Sequence, residues 1–182
     1  TGTCPSANLV DAYENADGTP FDWNSLAPGA DPYADRDPRL QYSVVVNNSQ
    51  WNGRTMQCYD GGTDGSGVTQ ATTTGYLKKF LTDGLDLEKN QTSVHSWILF
   101  RYAEILLNYA EAMNEAYGPD ADPFGDGKTA RWAVNEVRGR VGMPPVAASD
   151  ETEMRGRIKH ERRIELAFED HRFWDVGRWG KA

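Results

Sequence analysis

The stretch WILFRYAEILLNYAEAMNEAYGP, residues 97–119, decides how the rest of the chain is read. Ile98, Tyr102, Ile105, Leu106, Tyr109, Ala112, Met113 and Ala116 recur at three- and four-residue intervals, the spacing that lines one face of an α-helix with apolar side chains. The spacing predicts a helix of about five turns beginning at Trp97. Gly118 and Pro119 end it, because glycine takes up a left-handed terminus and proline supplies no amide to continue the ladder.

Toward the C-terminus the same pattern returns twice. After a polar loop, residues 120–127, Ala130, Ala133, Val134, Val137 and Val141 mark a second helix that Gly142 and Pro144-Pro145 close, so the two pair as a helical hairpin. A third helix is expected from Asp150, where Glu153 three residues on completes a capping box. Its apolar side is Met154, Ile158, Ile164, Leu166, Ala167 and Phe168, and Phe173, Val176 and Trp179 predict a further turn or two. Hairpins of about 34 residues are the unit of tetratricopeptide arrays, and the chain holds one clear unit.

Toward the N-terminus the pattern breaks down. Residues 15–20, 27–32 and 60–67 are dense in Gly, Pro, Asp and Asn, which excludes long helices. Tyr42-Ser43-Val44-Val45-Val46 reads as a strand, and Phe21, Trp23, Tyr33, Tyr42, Trp51 and Tyr59 are scattered without period. The chain therefore divides into a loop-rich segment with short strands, residues 1–94, and a helical scaffold, residues 95–182.

Composition bounds the function. The 182 residues carry a net charge of −8 and a sequence pI near 4.9, the reverse of what binding a phosphate backbone needs, so nucleic acid is excluded as a partner. No apolar run reaches the roughly 18 residues of a spanning helix. Two cysteines, Cys4 and Cys58, cannot build a four-cysteine zinc site, and whether they pair is open. No apolar segment precedes Cys4, so it does not read as a lipid-attachment cysteine.

The chemistry-bearing clusters are weak. Glu161 and Glu165 lie one helical turn apart and invite a glycosidase reading, which needs two carboxylates across a bound sugar. Both share a helix with arginines that hold carboxylates ionised, so they read as ion pairs, Arg157 with Glu161 among them. Gly127-Lys128-Thr129 imitates the end of a phosphate loop, but Asp122 stands where the first glycine belongs. Asp120, Asp122 and Asp126 offer oxygens to calcium without the closing bidentate glutamate, and His95, His160 and His171 keep no metal-ligand spacing. No metal, cofactor or catalytic centre is expected. What remains is Trp23, Tyr33, Trp51 and Tyr59, each within two residues of Asn, Asp, Gln or Arg. Such rings stack on the apolar face of a pyranose while polar neighbours bond its hydroxyls, so these four are the candidate ligand-binding residues.

Four ordered segments, residues 101–112, 134–144, 161–169 and 172–179, together with Asp37-Pro38-Arg39-Leu40 and Thr74-Gly75-Tyr76-Leu77-Lys78-Lys79, resemble the SusD/RagB family of outer-membrane nutrient-binding lipoproteins. The resemblance implies a mainly α fold with tetratricopeptide-like hairpins, of which this stretch is the C-terminal portion. It implies a non-enzymatic, lipid-anchored protein on the surface of a Gram-negative bacterium. Such a protein captures oligo- or polysaccharide for a SusC-type TonB-dependent transporter. Two alternatives stand beside it: a scaffold that docks the transporter without touching glycan, and a binder of peptide nutrients.

Overall fold

In a computed structural model, residues 4–69, 71–86, 89–94 and 96–180 are described; His95 lies outside them. The chain forms two compact units. One comprises residues 1–13 and 20–97, the other residues 14–19 and 98–182.

The loop-rich unit begins with helix α1, Ala7–Ala12, whose N-cap Ser6 accepts the Leu9 amide at 3.2 Å. A single 3₁₀ turn, Trp23–Ser25, is capped by Asp22. Helix α2, Arg39–Ser43, and strand β1, Val44–Val45, follow one another directly. Tyr42 and Ser43, expected to be extended, belong instead to the helix. Asp37 explains the difference: its carboxylate accepts the Arg39 amide and pairs with the Arg39 guanidinium, starting a turn that lasts until the β-branched run at Val44.

Strand β2, Gln50–Trp51, pairs with β3, Arg54–Thr55, in a tight hairpin. Asn52 and Gly53 at its tip both have positive φ, as a type I′ turn requires. Strand β4, Tyr76–Leu77, pairs antiparallel with β1 in the register Val44 to Leu77. Val45, Met56 and Cys58 form the small core beneath, with Trp51 and Tyr76 packed on it.

The helical unit contains α3, Tyr102–Tyr117; α4, Ala130–Gly139; α5, Glu151–Glu165; and α6, His171–Arg178. Its core is Leu106, Leu107 and Ala110 of α3, Ala133, Val134 and Val137 of α4, and Met154 and Ile158 of α5, closed by Val146 and Leu166. The fold is mainly α with short strands, as expected.

Three local expectations are corrected. Helix α3 starts at Tyr102, not Trp97: Arg101 is extended and its side chain reaches Glu165 and Glu169, which draws the backbone out of helical geometry. The buried face of α3 runs through Glu104, Leu106, Leu107, Ala110, Met113 and Asn114, so Tyr102 and Ile105 are exposed. With Phe173 and Trp174 of α6 they leave apolar surface uncovered on this unit. The cap of α5 is offset. The Glu153 amide donates to Asp150 at 2.9 Å, but the Glu153 carboxylate accepts the Ser149 amide at 2.8 Å, one residue before the cap.

Cys4 and Cys58 are not joined in a disulfide. Burial, and then the nearby Asp64 charge, push the Cys58 thiol up to about 11. At pH 8, iodoacetamide is therefore expected to modify Cys4 in the native protein and to reach Cys58 only after denaturation. Mass spectrometry counts the adducts, and native labelling of Cys58 at the rate of Cys4 would contradict this.

Candidate functional site

Because Glu161 and Glu165 sit one turn apart, the first question is what their carboxylates face. Glu161 is fully buried, and Arg138 Nη1 donates to it at 3.0 Å. Arg157, expected on Glu161, binds Glu14 instead at 3.2 Å, because residues 14–19 lie with the helical unit and bring Glu14 within its reach. Glu165 accepts from both Arg101 and Arg140, and Arg101 also grips Glu169 with two bonds of 2.7 Å. Each carboxylate thus lies against arginine guanidinium within the packed helices, the arrangement of an ion-pair network.

The acidic loop before α4 is equally committed. Asp120 pairs with Arg131 at 2.6 and 2.7 Å, and that pairing lowers its pKa. Asp122 accepts the amides of Asp126 and Gly127, and Thr129 caps α4 by accepting the Trp132 amide at 3.0 Å. The phosphate-loop lookalike is therefore a helix cap. Among the described residues no three metal-ligating side chains converge.

The aromatic residues separate into distinct environments. Trp23 opens the 3₁₀ turn and is 50% exposed. Its indole Nε1 donates to Asp11 of α1 at 3.1 Å, and its ring meets Phe21 edge-to-face at 5.1 Å. Phe21 in turn lies under the Arg36 guanidinium, 3.6 Å from its centroid.

Arg36 is the hub of this arrangement. Its side chain is buried and donates to the backbone carbonyls of Val10, Tyr13 and Pro32 at 2.6 to 3.2 Å. One guanidinium thereby fixes the end of α1, which carries Asp11, together with the loop leading to Tyr33 and the ring beneath Trp23. Tyr33 is half-buried; burial pushes its hydroxyl up, and the charges of Cys58, Asp11 and Asp31 add to that. Asp11 thus bonds Trp23 and acts on Tyr33 through its charge, while Arg36 reaches Trp23 only by way of Phe21.

The other two candidates are placed differently. Trp51 packs on the Val45, Met56 and Cys58 core with Lys78 Nζ 5.6 Å from its ring centroid, so much of its surface holds the hairpin. Tyr59 is 53% exposed on the glycine-rich loop. That loop is wound too tightly for side chains at two positions: a Cβ at Gly62 would stand 2.3 Å from the Gln57 carbonyl, and one at Gly65 would stand 2.4 Å from that of Tyr59. Buried Asp64 ties it down, accepting two bonds from Arg54 and the Gln57 amide, and Arg54 holds its carboxyl at about 2.

Sequence reasoning missed Asp11, Phe21 and Arg36. Phe21 and Trp23 two residues apart, around the cap Asp22, were the available signal, since alternate positions of an extended segment face the same side. Arg36 carries no such mark, because its partners are backbone carbonyls 4 to 26 residues away.

Compared with known proteins, residues 1–182 match the model of the SusD family throughout. SusD-like protein P38 of Formosa agariphila is 36% identical over 94 residues, covering 47% of this chain and 17% of its own length. SusD-like protein P2 of the same organism is 36% identical over 103 residues, covering 52% of this chain and 19% of its own. Two solved structures from Bacteroides fragilis share the fold. A SusD-like protein is 36% identical with a TM-score of 0.74, covering 97% of this chain and 36% of that one. A SusD-like carbohydrate binding protein is 31% identical with a TM-score of 0.70, covering 97% and 35%. The chain thus spans less than a fifth of the curated relatives and about a third of the solved ones. Matched along its whole length and sharing the helical scaffold, this chain belongs to the SusD family.

Proposed function

We propose that the chain is part of a cell-surface lipoprotein that captures oligo- or polysaccharide and hands it to a SusC-type TonB-dependent transporter in the outer membrane. The observation that carries the reading is the half-exposed Trp23 ring, held in place by Asp11 and by Phe21 stacked under Arg36. A ring fixed before the ligand arrives loses little rotamer freedom on binding, so most of its stacking energy appears as affinity. On this reading Asp11 and Tyr33 supply the polar groups that bond the hydroxyls of the stacked sugar.

Support also comes from the 31% identical relative described as carbohydrate binding. The pairing of Glu161 and Glu165 with arginine argues for binding without hydrolysis.

Isothermal calorimetry of the full-length protein against a panel of neutral oligosaccharides tests the reading. Trp23→Ala is expected to weaken the best ligand by about 10- to 100-fold, the loss typical of a central aromatic anchor, with the circular dichroism spectrum unchanged. Absence of heat across the panel, or equal affinity of the variant, would overturn it.

A further inference from the structure

Asn52-Gly53, at the tip of the β2–β3 hairpin, is the one Asn-Gly pair in the sequence. The two residues have φ of 50° and 74°, and both are exposed. The left-handed backbone of the turn accounts for the pair, because asparagine and glycine adopt it at the least cost.

The tip is held from outside the hairpin. Asp83 accepts the Asn52 backbone amide at 2.7 Å, and the Asn52 side-chain carbonyl accepts the Gly84 amide at 2.9 Å. Two bonds between residues 31 and 32 positions apart thereby tie the turn to the segment after β4.

The same arrangement suits a reaction of the Asn52 side chain with its own backbone. Closing a succinimide requires the Gly53 amide nitrogen to attack the Asn52 side-chain carbonyl carbon, and glycine carries no side chain to obstruct it. The surroundings are open as well: a Cβ added at Gly53 would meet nothing within 4 Å. The Gly84 N–H lies on Oδ1, the oxygen that becomes the oxyanion of the tetrahedral intermediate, and a donor so placed stabilises the developing charge.

We propose that Asn52 is a site of spontaneous covalent modification, where deamidation through a succinimide releases the hairpin tip from Asp83 and Gly84. The Gly53 nitrogen gives its proton to solvent and bonds to Cγ of Asn52; the Cγ–Nδ2 bond breaks, and the amide nitrogen leaves as ammonia with a proton from water. Water then opens the imide at either carbonyl, giving aspartate or isoaspartate. Water is the only co-reactant, nothing is oxidised or reduced, and no ligand is involved.

Either product places a carboxylate at position 52 next to that of Asp83, and the two repel. Isoaspartate also adds a methylene to the backbone, which the two-residue turn cannot absorb while Trp51 stays opposite Arg54. Arg54 donates to Asp64 at 2.6 and 2.7 Å, so a change at the tip is passed on to the glycine-rich loop.

Peptide mapping of the full-length protein during incubation at pH 6 and at pH 8, with isoaspartate counted by enzymatic methylation, tests the site. Asn52 is expected to convert before any other asparagine, and faster at pH 8, since the attacking amide must lose its proton. Gly53→Asn keeps a residue tolerant of positive φ but puts a side chain beside the attacking nitrogen, so it is expected to abolish the conversion with the circular dichroism spectrum unchanged. Asn52→Asp, which reproduces one product, is expected to lower Tm by a few degrees. Asp83→Asn in that background is expected to recover part of the loss, because one of the two repelling carboxylates is gone. Intact Asn52 while another asparagine converts, or equal conversion in the Gly53→Asn variant, overturns the modification site. A Tm of Asn52→Asp equal to the parent's overturns the release of the tip.

Discussion

Replacing Arg138 with methionine is expected to destabilise the protein by about 3–5 kcal/mol, the cost of leaving a buried charge without its partner. Arg138 of α4 is almost fully buried and meets two carboxylates, Glu14 at 2.9 Å and Glu161 at 3.0 Å, while its Nε donates to the Pro144 carbonyl at 2.7 Å. Methionine fills much of the same volume but supplies no positive charge. Glu14 keeps Arg157 at 3.2 Å, whereas Glu161, with no exposure to water, loses the Arg138 guanidinium. Desolvation then dominates, because the Coulomb attraction that offset it has gone.

Urea denaturation of Arg138→Met against the parent protein measures the effect as a lower midpoint. Adding Glu161→Met to that variant should restore a substantial part of the loss, since an apolar replacement of both partners removes the buried charge. A loss below about 1 kcal/mol for the single variant, the value of an exposed ion pair, would show that the network does not hold the helical unit together.

Arg36→Leu is expected to cost about 3 kcal/mol, near the upper end of ordinary substitutions, and to reduce glycan affinity as well. The guanidinium satisfies the carbonyls of Val10, Tyr13 and Pro32, and a buried carbonyl left unpaired costs roughly 1–3 kcal/mol. Its loss also frees Phe21 and the end of α1, and with them the two contacts that orient Trp23. Lysine is a poor substitute, because a single ammonium cannot reproduce a planar fork bonded to three carbonyls.

Two readouts check this together. Thermal denaturation of the full-length protein should show a lower Tm for Arg36→Leu, and calorimetry below that Tm should show weaker binding of any glycan that depends on Trp23. A variant that melts and binds like the parent would show that Arg36 positions nothing.

Where the chain stops its helices was legible because those signals are local. Gly118 and Pro119 close α3, Gly142 with φ of 76° follows α4, and Asp150 caps α5. The outer residues of α3 were misread for a related reason: Tyr102 and Ile105 keep the same helical spacing as the residues that are buried, so periodicity alone shows two stripes without saying which is covered. The start of α3 was misplaced because Arg101 is bound by residues 64 and 68 positions away.

The candidate site divides in the same way. Trp23 stood out as an aromatic residue in a turn-rich segment, while Trp51, equally prominent in sequence, packs on the small core, and Asp11, Phe21 and Arg36 were not singled out for the site. By itself, then, the sequence determined the family, the helical class and the helix ends, because these rest on words and periods within a few residues. Only the tertiary structure decided which apolar stripe is buried, which arginine neutralises which carboxylate and which rings meet solvent. Burial and ion pairing are set by whatever residue the fold brings alongside, however far away it lies in the chain.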